Sequence, residues 1–184
     1  MKKVFSVVAC LIFATSIVCA QQKGAPLSPP AKASCELPGG KSIAVEYSSP
    51  RMRGRKIMGE LVPFGEVWRA GANAATSFVT DEDLVAPGGV NIPAGKYTLF
   101  AVPNPDSWKL IVNKHTGEWG IPYKYESEEL ARVPMAVKTL PSPVENFTIS
   151  FDKDGTGCAM HLTWEKTEAS VTFNPKNADV PVQQ

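Results

Sequence analysis

One stretch of the sequence, E-V-W-R-A-G-A-N-A-A-T-S-F from residue 66 to residue 78, concentrates side chains that bind small molecules. Four of its residues are of this kind: Trp68, Arg69, Asn73 and Thr76. An arginine guanidinium is a planar fork that holds a carboxylate or a phosphate, and tryptophan offers a flat aromatic face. The glycine and the asparagine tolerate positive φ, so the stretch predicts a turn or bulge. We expect the four side chains to line one concave site.

The same stretch also has a structural interpretation, which the sequence leaves open. Trp68 would then plug the core, Arg69 would be solvated or stacked on a ring, and Asn73 would close the turn. The two interpretations differ in whether these side chains face a cleft or only stabilise the fold.

A second segment, S-S-P-R-M-R-G-R-K at residues 48–56, carries three arginines in alternation. If the segment is extended, Arg51, Arg53 and Arg55 share one face and form a basic rim that attracts an acidic ligand. We expect Arg51 to join the cleft. The alternative is a solvated loop.

A third segment, N-K-H-T-G-E-W-G at residues 113–120, is followed by Tyr123 and Tyr125. Aromatic faces beside polar groups suit sugars and other ring-shaped ligands, so we expect Lys114 and Trp119 to complete the cleft. The alternative is that these aromatic residues cover an open end of the fold.

Signs of catalysis are few, because the sequence has no G-x-S-x-G, H-E-x-x-H or glycine-rich phosphate loop. The best candidates for an acid–base pair are Glu66 and Glu118, and a glycosidase needs its two carboxyl groups about 5–10 Å apart. His115 lies close to Glu118 in sequence, but a metal site needs further ligands. We expect no metal and no cofactor, and we favour a protein that is not an enzyme.

The first twenty residues predict an export signal. Two lysines precede an apolar run at residues 4–18, which is too short for a membrane span. Cleavage is expected after Ala20. The alternative is a lipid anchor at Cys19, although valine is a poor residue to precede a lipidated cysteine. We expect a periplasmic or extracellular protein without a transmembrane segment.

Charge and cysteine content narrow the class of protein further. Removing the signal takes two lysines from the 19 basic residues, which leaves 17 against 18 acidic residues. Nucleic-acid binding usually needs a basic surplus, so nucleic acid is not an expected partner.

Cys35 and Cys158 remain after the signal is removed, and an exported pair of cysteines is more often bridged than free, so we predict a disulfide that closes a long loop.

The elements that position these residues are predicted to be β-strands, because short segments of alternating apolar and polar residues recur about every ten residues. The predicted strands are residues 42–48, 76–80, 83–86, 96–102, 108–113, 130–140, 144–151, 157–165 and 168–173, with a short arm at 33–37 and one helical turn at 126–131. This pattern favours a single all-β domain, an antiparallel β-sandwich of jelly-roll or Ig-like type. The expected limits are a signal peptide at 1–20, a flexible tether at 21–34, the domain at 35–174 and a loose tail at 175–184.

The segments around the predicted cleft also resemble a known family. S-S-P-R-M-R-G-R-K-I-M-G-E-L-V-P-F-G-E-V-W-R-A-G-A-N-A-A-T, residues 48–76, is similar to the signature of uncharacterised exported bacterial domains catalogued as domain of unknown function 2911. The resemblance extends from residue 42 to residue 173 through I-P-A-G-K-Y-T-L-F-A-V-P, W-K-L-I-V-N-K, E-W-G, F-T-I-S-F and L-T-W-E-K-T. It implies an exported, all-β protein, and it implies neither an activity nor a ligand. The cysteine pair is not part of the family pattern.

The sequence therefore favours non-catalytic binding of a polar or anionic small molecule, or of a glycan. The expected site consists of Arg51, Trp68, Arg69, Asn73, Thr76, Lys114 and Trp119. Two alternatives stay open: a hydrolase of glycans that uses Glu66 and Glu118, and a structural module of the cell envelope in which the motif serves only the fold.

Overall fold

The computed structural model of the chain describes residues 26–176, and within them nearly all of the regular secondary structure is strand. The strands are β1 (Pro30–Leu37), β2 (Lys41–Ser48), β3 (Thr76–Thr80), β4 (Leu84–Ala86), β5 (Val90–Ile92), β6 (Gly95–Val102), β7 (Trp108–Asn113), β8 (Glu129–Asp154) and β9 (Gly157–Pro175). Two short 3-10 turns lie at Pro38–Gly40 and Glu126–Glu128. In the described part of the chain, no helix has the length and apolar character to span a membrane. The predictions for residues 1–25 and 177–184, including the signal peptide and Cys19, lie outside the described residues.

All nine strands belong to one antiparallel sheet with the order β1-β2-β3-β6-β7-β8-β9-β4-β5. The long strand β8 changes partner along its length: it pairs with β7 up to Met135 and with β9 from Ala136 onwards. Register shifts between Thr139 and Thr148 bend the second part of this pairing. The predicted antiparallel all-β class is confirmed, in the form of one continuous sheet.

The sheet folds over its core, so that β1 and β2 pack against β8 and β9. In β2 the alternation predicted from the sequence is observed, and its three inward side chains, Ile43, Val45 and Tyr47, are all buried. The Tyr47 ring meets Phe147 of β8 edge to face, with ring centroids 5.6 Å apart. The alternation of apolar and polar residues along β2 thus determines which of its side chains face the core.

The predicted disulfide is confirmed between Cys35 of β1 and Cys158 of β9, 123 residues apart in the sequence. Because β1 is the first strand in the sheet order, the bridge fastens an edge of the sheet across the core. The ammonium of Lys153 in β8 adds a hydrogen bond to the carbonyl oxygen of Glu36. This part of the fold is closed by both a covalent and a polar link.

The first strand begins earlier than the arm that was predicted at residues 33–37. Residues 30–34, assigned from the sequence to a flexible tether, form the first part of β1 and pair with β2 from Ser48 to Ala44. Pro30 is the first residue of the strand, a position where the missing N–H is tolerated. Ala31 and Ala33 are half-buried and pack against the core. The prolines just before the strand concealed this weak alternation of small residues.

Candidate functional site

A cleft of about 440 Å³ lies at the motif that the sequence singled out. Its lining includes residues 61–63 and 66–69, together with Arg55, Ile121 and Trp164. Most of these groups are apolar, and the charged ones are Arg55, Glu66 and Arg69. This combination of apolar walls with a few charged groups is typical of small-molecule sites.

Trp68 forms part of both the core and the cleft. Its backbone exchanges two hydrogen bonds with Ala101 of β6, at 2.8 and 2.7 Å. Its ring stacks on Trp164, with centroids 6.0 Å apart and planes 20° apart, and meets Phe147 edge to face at 4.9 Å. Its Nε1 donates to the carbonyl oxygen of Gly71 at 3.1 Å. The ring is therefore held rigidly, and it both packs in the core and lines the cleft.

Arg69 also lines the cleft, and the structure brings it together with Trp119. Its Nη1 donates to the Trp119 carbonyl oxygen at 3.2 Å, and its Cζ lies over the Trp119 ring, 5.1 Å from the centroid. A guanidinium over a tryptophan face gains cation–π energy and has a fixed orientation. Partial burial lowers the pKa of Arg69 from its ordinary value, because desolvation disfavours the charged form.

Asn73 and Thr76 do not line the cleft, which corrects the sequence prediction. Positive φ occurs at Ala70 (48°) and Asn73 (57°), so the predicted turn is present. Thr76 is fully buried, and its hydroxyl donates to the Ala70 carbonyl oxygen at 2.7 Å. Asn73 Nδ2 donates to the Ser28 carbonyl oxygen at 3.3 Å and to Ser48 Oγ at 3.2 Å. These polar groups stabilise the turn and attach it to Ser28, in the segment that precedes β1.

The three arginines of residues 51–55 do not share a face. Arg53 has a positive φ of 51°, and the Arg55 N–H donates to the Met52 carbonyl oxygen at 3.0 Å, so the segment is a turn. Arg51 is exposed and lies outside the cleft lining, whereas Arg55 lines the cleft. Arg55 Nε and Nη2 donate to the carbonyl oxygens of Met52 and Arg51, at 3.0 and 2.7 Å. The site thus contains Arg55 in place of the predicted Arg51.

The loop after β7 covers part of the sheet, as its structural interpretation proposed. Asn113 is fully buried, and its Nδ2 donates to the Tyr125 carbonyl oxygen at 2.8 Å and to the Tyr123 hydroxyl at 3.1 Å. Both tyrosine rings pack against Phe100, with Tyr123 edge to face at 4.7 Å. Lys114 is exposed and lies outside the cleft lining, so its assignment to the site is also corrected.

A polar network fixes the end of this loop. The Tyr123 hydroxyl donates to Glu129 Oε1 at 2.6 Å, and Arg132 donates to both oxygens of Glu129 at 2.7 Å. The hydrogen bonds from Arg132 lower the pKa of Glu129, and burial followed by the bond to Glu129 raises the pKa of Tyr123. Glu129 is therefore an ionised anchor for the loop.

Glu66 and Glu118, the pair predicted for acid–base chemistry, line different cavities. Glu66 lines the cleft, whereas Glu118 lines a second cavity of about 420 Å³ on the outer face of β2, β3 and β6. Both carboxylate oxygens of Glu118 are buried and have no hydrogen-bond partner among the described residues. His115 bonds through Nδ1 to Glu128 Oε1 at 3.0 Å instead of meeting Glu118. Among residues 26–176, no group of three or more His, Cys, Asp or Glu side chains is placed to hold a metal ion.

Comparison with known proteins gives one match. A family model described as a protein of unknown function (DUF2911) matches residues 28–173, which is most of the chain and includes every residue that lines the cleft. Neither a curated protein nor a solved structure matches.

Proposed function

Because the chain belongs to the DUF2911 family of proteins of unknown function, we propose a function from its cleft: non-catalytic binding of a polar, anionic small molecule. The observation that supports this proposal is the half-buried guanidinium of Arg69 in the lining. Among the described residues, no carboxylate forms an ion pair with it. The Trp119 carbonyl oxygen accepts a hydrogen bond from Nη1 of Arg69, and the other N–H groups of the guanidinium remain available to a ligand.

The physical argument is one of charge compensation. A partly desolvated cation is most stable beside a carboxylate or phosphate that accepts its N–H groups. Arg55 adds a second positive charge to the same lining, and the paired rings of Trp68 and Trp164 provide a rigid apolar floor. The cleft volume of about 440 Å³ lies in the range of small-molecule sites, about 300–1,000 Å³.

The two alternatives gain less support. A glycan hydrolase needs two carboxyl groups on one substrate, and Glu66 and Glu118 line different cavities. A structural role in the envelope is the second candidate, since Asn73 and Thr76 serve the turn. The stacking of Arg69 on the Trp119 ring also fits that role. Binding is favoured over it because the guanidinium lines an open cleft and forms no ion pair among the described residues.

Thermal unfolding against a panel of carboxylates, phosphates and sugars tests the proposal. A ligand at one hundred times its Kd stabilises by about 2.7 kcal/mol, which raises Tm by about 5 °C or more. We expect this rise for at least one anion, and we expect it to vanish in Arg69→Gln. The matched control is Arg53→Gln, which removes an exposed arginine outside the cleft and should keep the rise. An equal rise in all three proteins, or none with any anion, contradicts the proposal.

Export to the periplasm or beyond is also a proposal, supported by the bridge between Cys35 and Cys158, since disulfides persist in oxidising compartments. The mass of the mature protein tests it. A chain that begins at Gln21 agrees with cleavage after Ala20, a lipid-modified Cys19 supports the anchor instead, and an unprocessed chain contradicts both.

A further inference from the structure

An exposed tryptophan, Trp119, lies outside the cleft lining but directly beside Arg69, which lines the cleft. Trp119 is 60% exposed, whereas Trp108 and Trp164 are each 2% exposed. The guanidinium of Arg69 lies over the ring of Trp119, and no other aromatic ring among the described residues contacts it. A large flat surface is therefore left in water directly beside an anion-binding group.

The apolar surface continues into the cleft. Leu61 and Ile121 line it and are 45% and 44% exposed, and Ile121 follows Trp119 by two residues. Exposed apolar groups that cluster beside a polar pocket mark a binding surface. The ligand should therefore present an apolar face as well as a charge.

The charged lining restricts the ligand further. Arg55 and Arg69 only donate hydrogen bonds, whereas Glu66, when ionised, only accepts them. A simple dicarboxylate would satisfy the arginines and be repelled by Glu66. A flat aromatic acid would satisfy the arginines and offer Glu66 no donor. A ligand with one carboxylate and several hydroxyl groups satisfies all three residues.

We infer that the ligand is an acidic sugar, a sugar ring that carries a carboxylate. Its carboxylate binds Arg69, its hydroxyl groups donate to Glu66, and the C–H face of its ring packs on the exposed apolar side chains of Leu61 and Ile121 in the lining. This inference rests on the proposed function, because it requires that Arg69 bind an anion, and it adds the class of molecule that carries the anion.

Calorimetric titration of the purified protein at one ionic strength tests the inference. The probes are glucuronate, glucose, succinate and benzoate, which separate the acidic sugar from the ring alone, the charge alone and an aromatic acid. We expect glucuronate to bind most tightly. Ile121→Ala should weaken its binding about tenfold, equivalent to about 1.4 kcal/mol. The matched control is Phe64→Ala, which removes another exposed apolar side chain that does not line the cleft.

The outcomes separate the two proposals. Succinate that binds as tightly as glucuronate, with Ile121→Ala unchanged, overturns the sugar inference and leaves anion binding intact. Benzoate that binds more tightly than glucuronate overturns it in favour of an aromatic acid. Binding of glucose equal to that of glucuronate contradicts the role of Arg69 and therefore both proposals. No binding of any carboxylate overturns the sugar inference, and anion binding then depends on the phosphates of the thermal unfolding panel.

Discussion

Loss of the disulfide between Cys35 and Cys158 should destabilise the protein strongly, because the bridge closes a loop of 123 residues. On the chain-entropy model, a loop of this length restricts the unfolded state by about 5 kcal/mol at 25 °C. The experiment compares oxidised protein with a Cys35→Ser, Cys158→Ser double variant in urea. With a denaturant slope of about 2 kcal/mol/M, the unfolding midpoint should fall by about 2.5 M.

The single variants are the controls, since either substitution alone removes the bridge and should cost as much as both together. Chemically reduced wild-type protein should unfold at the same midpoint as the double variant. A fall of less than about 1 M with an unchanged slope would refute the reasoning, because the bridge would then restrict the unfolded chain far less than its loop length implies.

Three further predictions concern single residues. Trp68→Ala removes a ring that packs on Trp164 and Phe147, so it should lower the free energy of unfolding, measured in urea, by about 3–5 kcal/mol. A loss below about 1 kcal/mol would show that the core does not depend on this ring. Because hydrogen bonds from Arg132 lower the pKa of Glu129 in the folded state, this pair stabilises the protein above the unfolded-state pKa of about 4.3. That contribution is lost as pH falls through the folded-state pKa of Glu129. Arg132→Gln should therefore flatten the acid side of a plot of unfolding free energy against pH. An unchanged plot would contradict a stabilising role for the pair. Glu118→Leu removes a carboxyl group whose two oxygens are buried and have no hydrogen-bond partner among the described residues, and it should raise the unfolding free energy by about 1–3 kcal/mol. A decrease would mean that the carboxyl group has a partner in solution.

The short strands could be predicted from local pattern. The limits predicted for β3 and β7, residues 76–80 and 108–113, are those observed, because each strand is a brief alternation bounded by turn residues. The disulfide was predicted from the expected export and the cysteine count, and neither depends on three-dimensional contacts. The strand limits depend only on residues that are close together in the sequence.

The long strands could not be predicted, because their continuity depends on distant partners. The pattern suggested strands at 130–140 and 144–151, with Pro141 and Pro143 between them, yet β8 runs through both prolines. In β9, Glu165 has a positive φ of 53°, which breaks the alternation there. Its carboxylate accepts backbone N–H groups from the turn at residues 57–58, so a tertiary contact accompanies the irregular backbone.

The position of the cleft could be predicted from the sequence, but only some of the residues that line it could. Trp68 and Arg69 were predicted to line the cleft and do line it, although the Trp68 ring also packs in the core. Asn73 and Thr76 have polar groups that hold a turn as well as they bind a ligand, and only the fold distinguishes these uses. Arg55 enters the cleft because a turn at Arg53 ends the extended backbone on which the predicted rim depended.

The central claim, that Arg69 binds an anion in this cleft, is tested most directly by nuclear magnetic resonance of the arginine Nε–H groups. The carboxylate with the largest thermal effect is titrated into labelled protein, with signals assigned from Arg69→Gln and Arg53→Gln. The account predicts that the Arg69 signal shifts and saturates with one Kd, while the Arg53 signal does not move. An unmoved Arg69 signal at saturating ligand would contradict it.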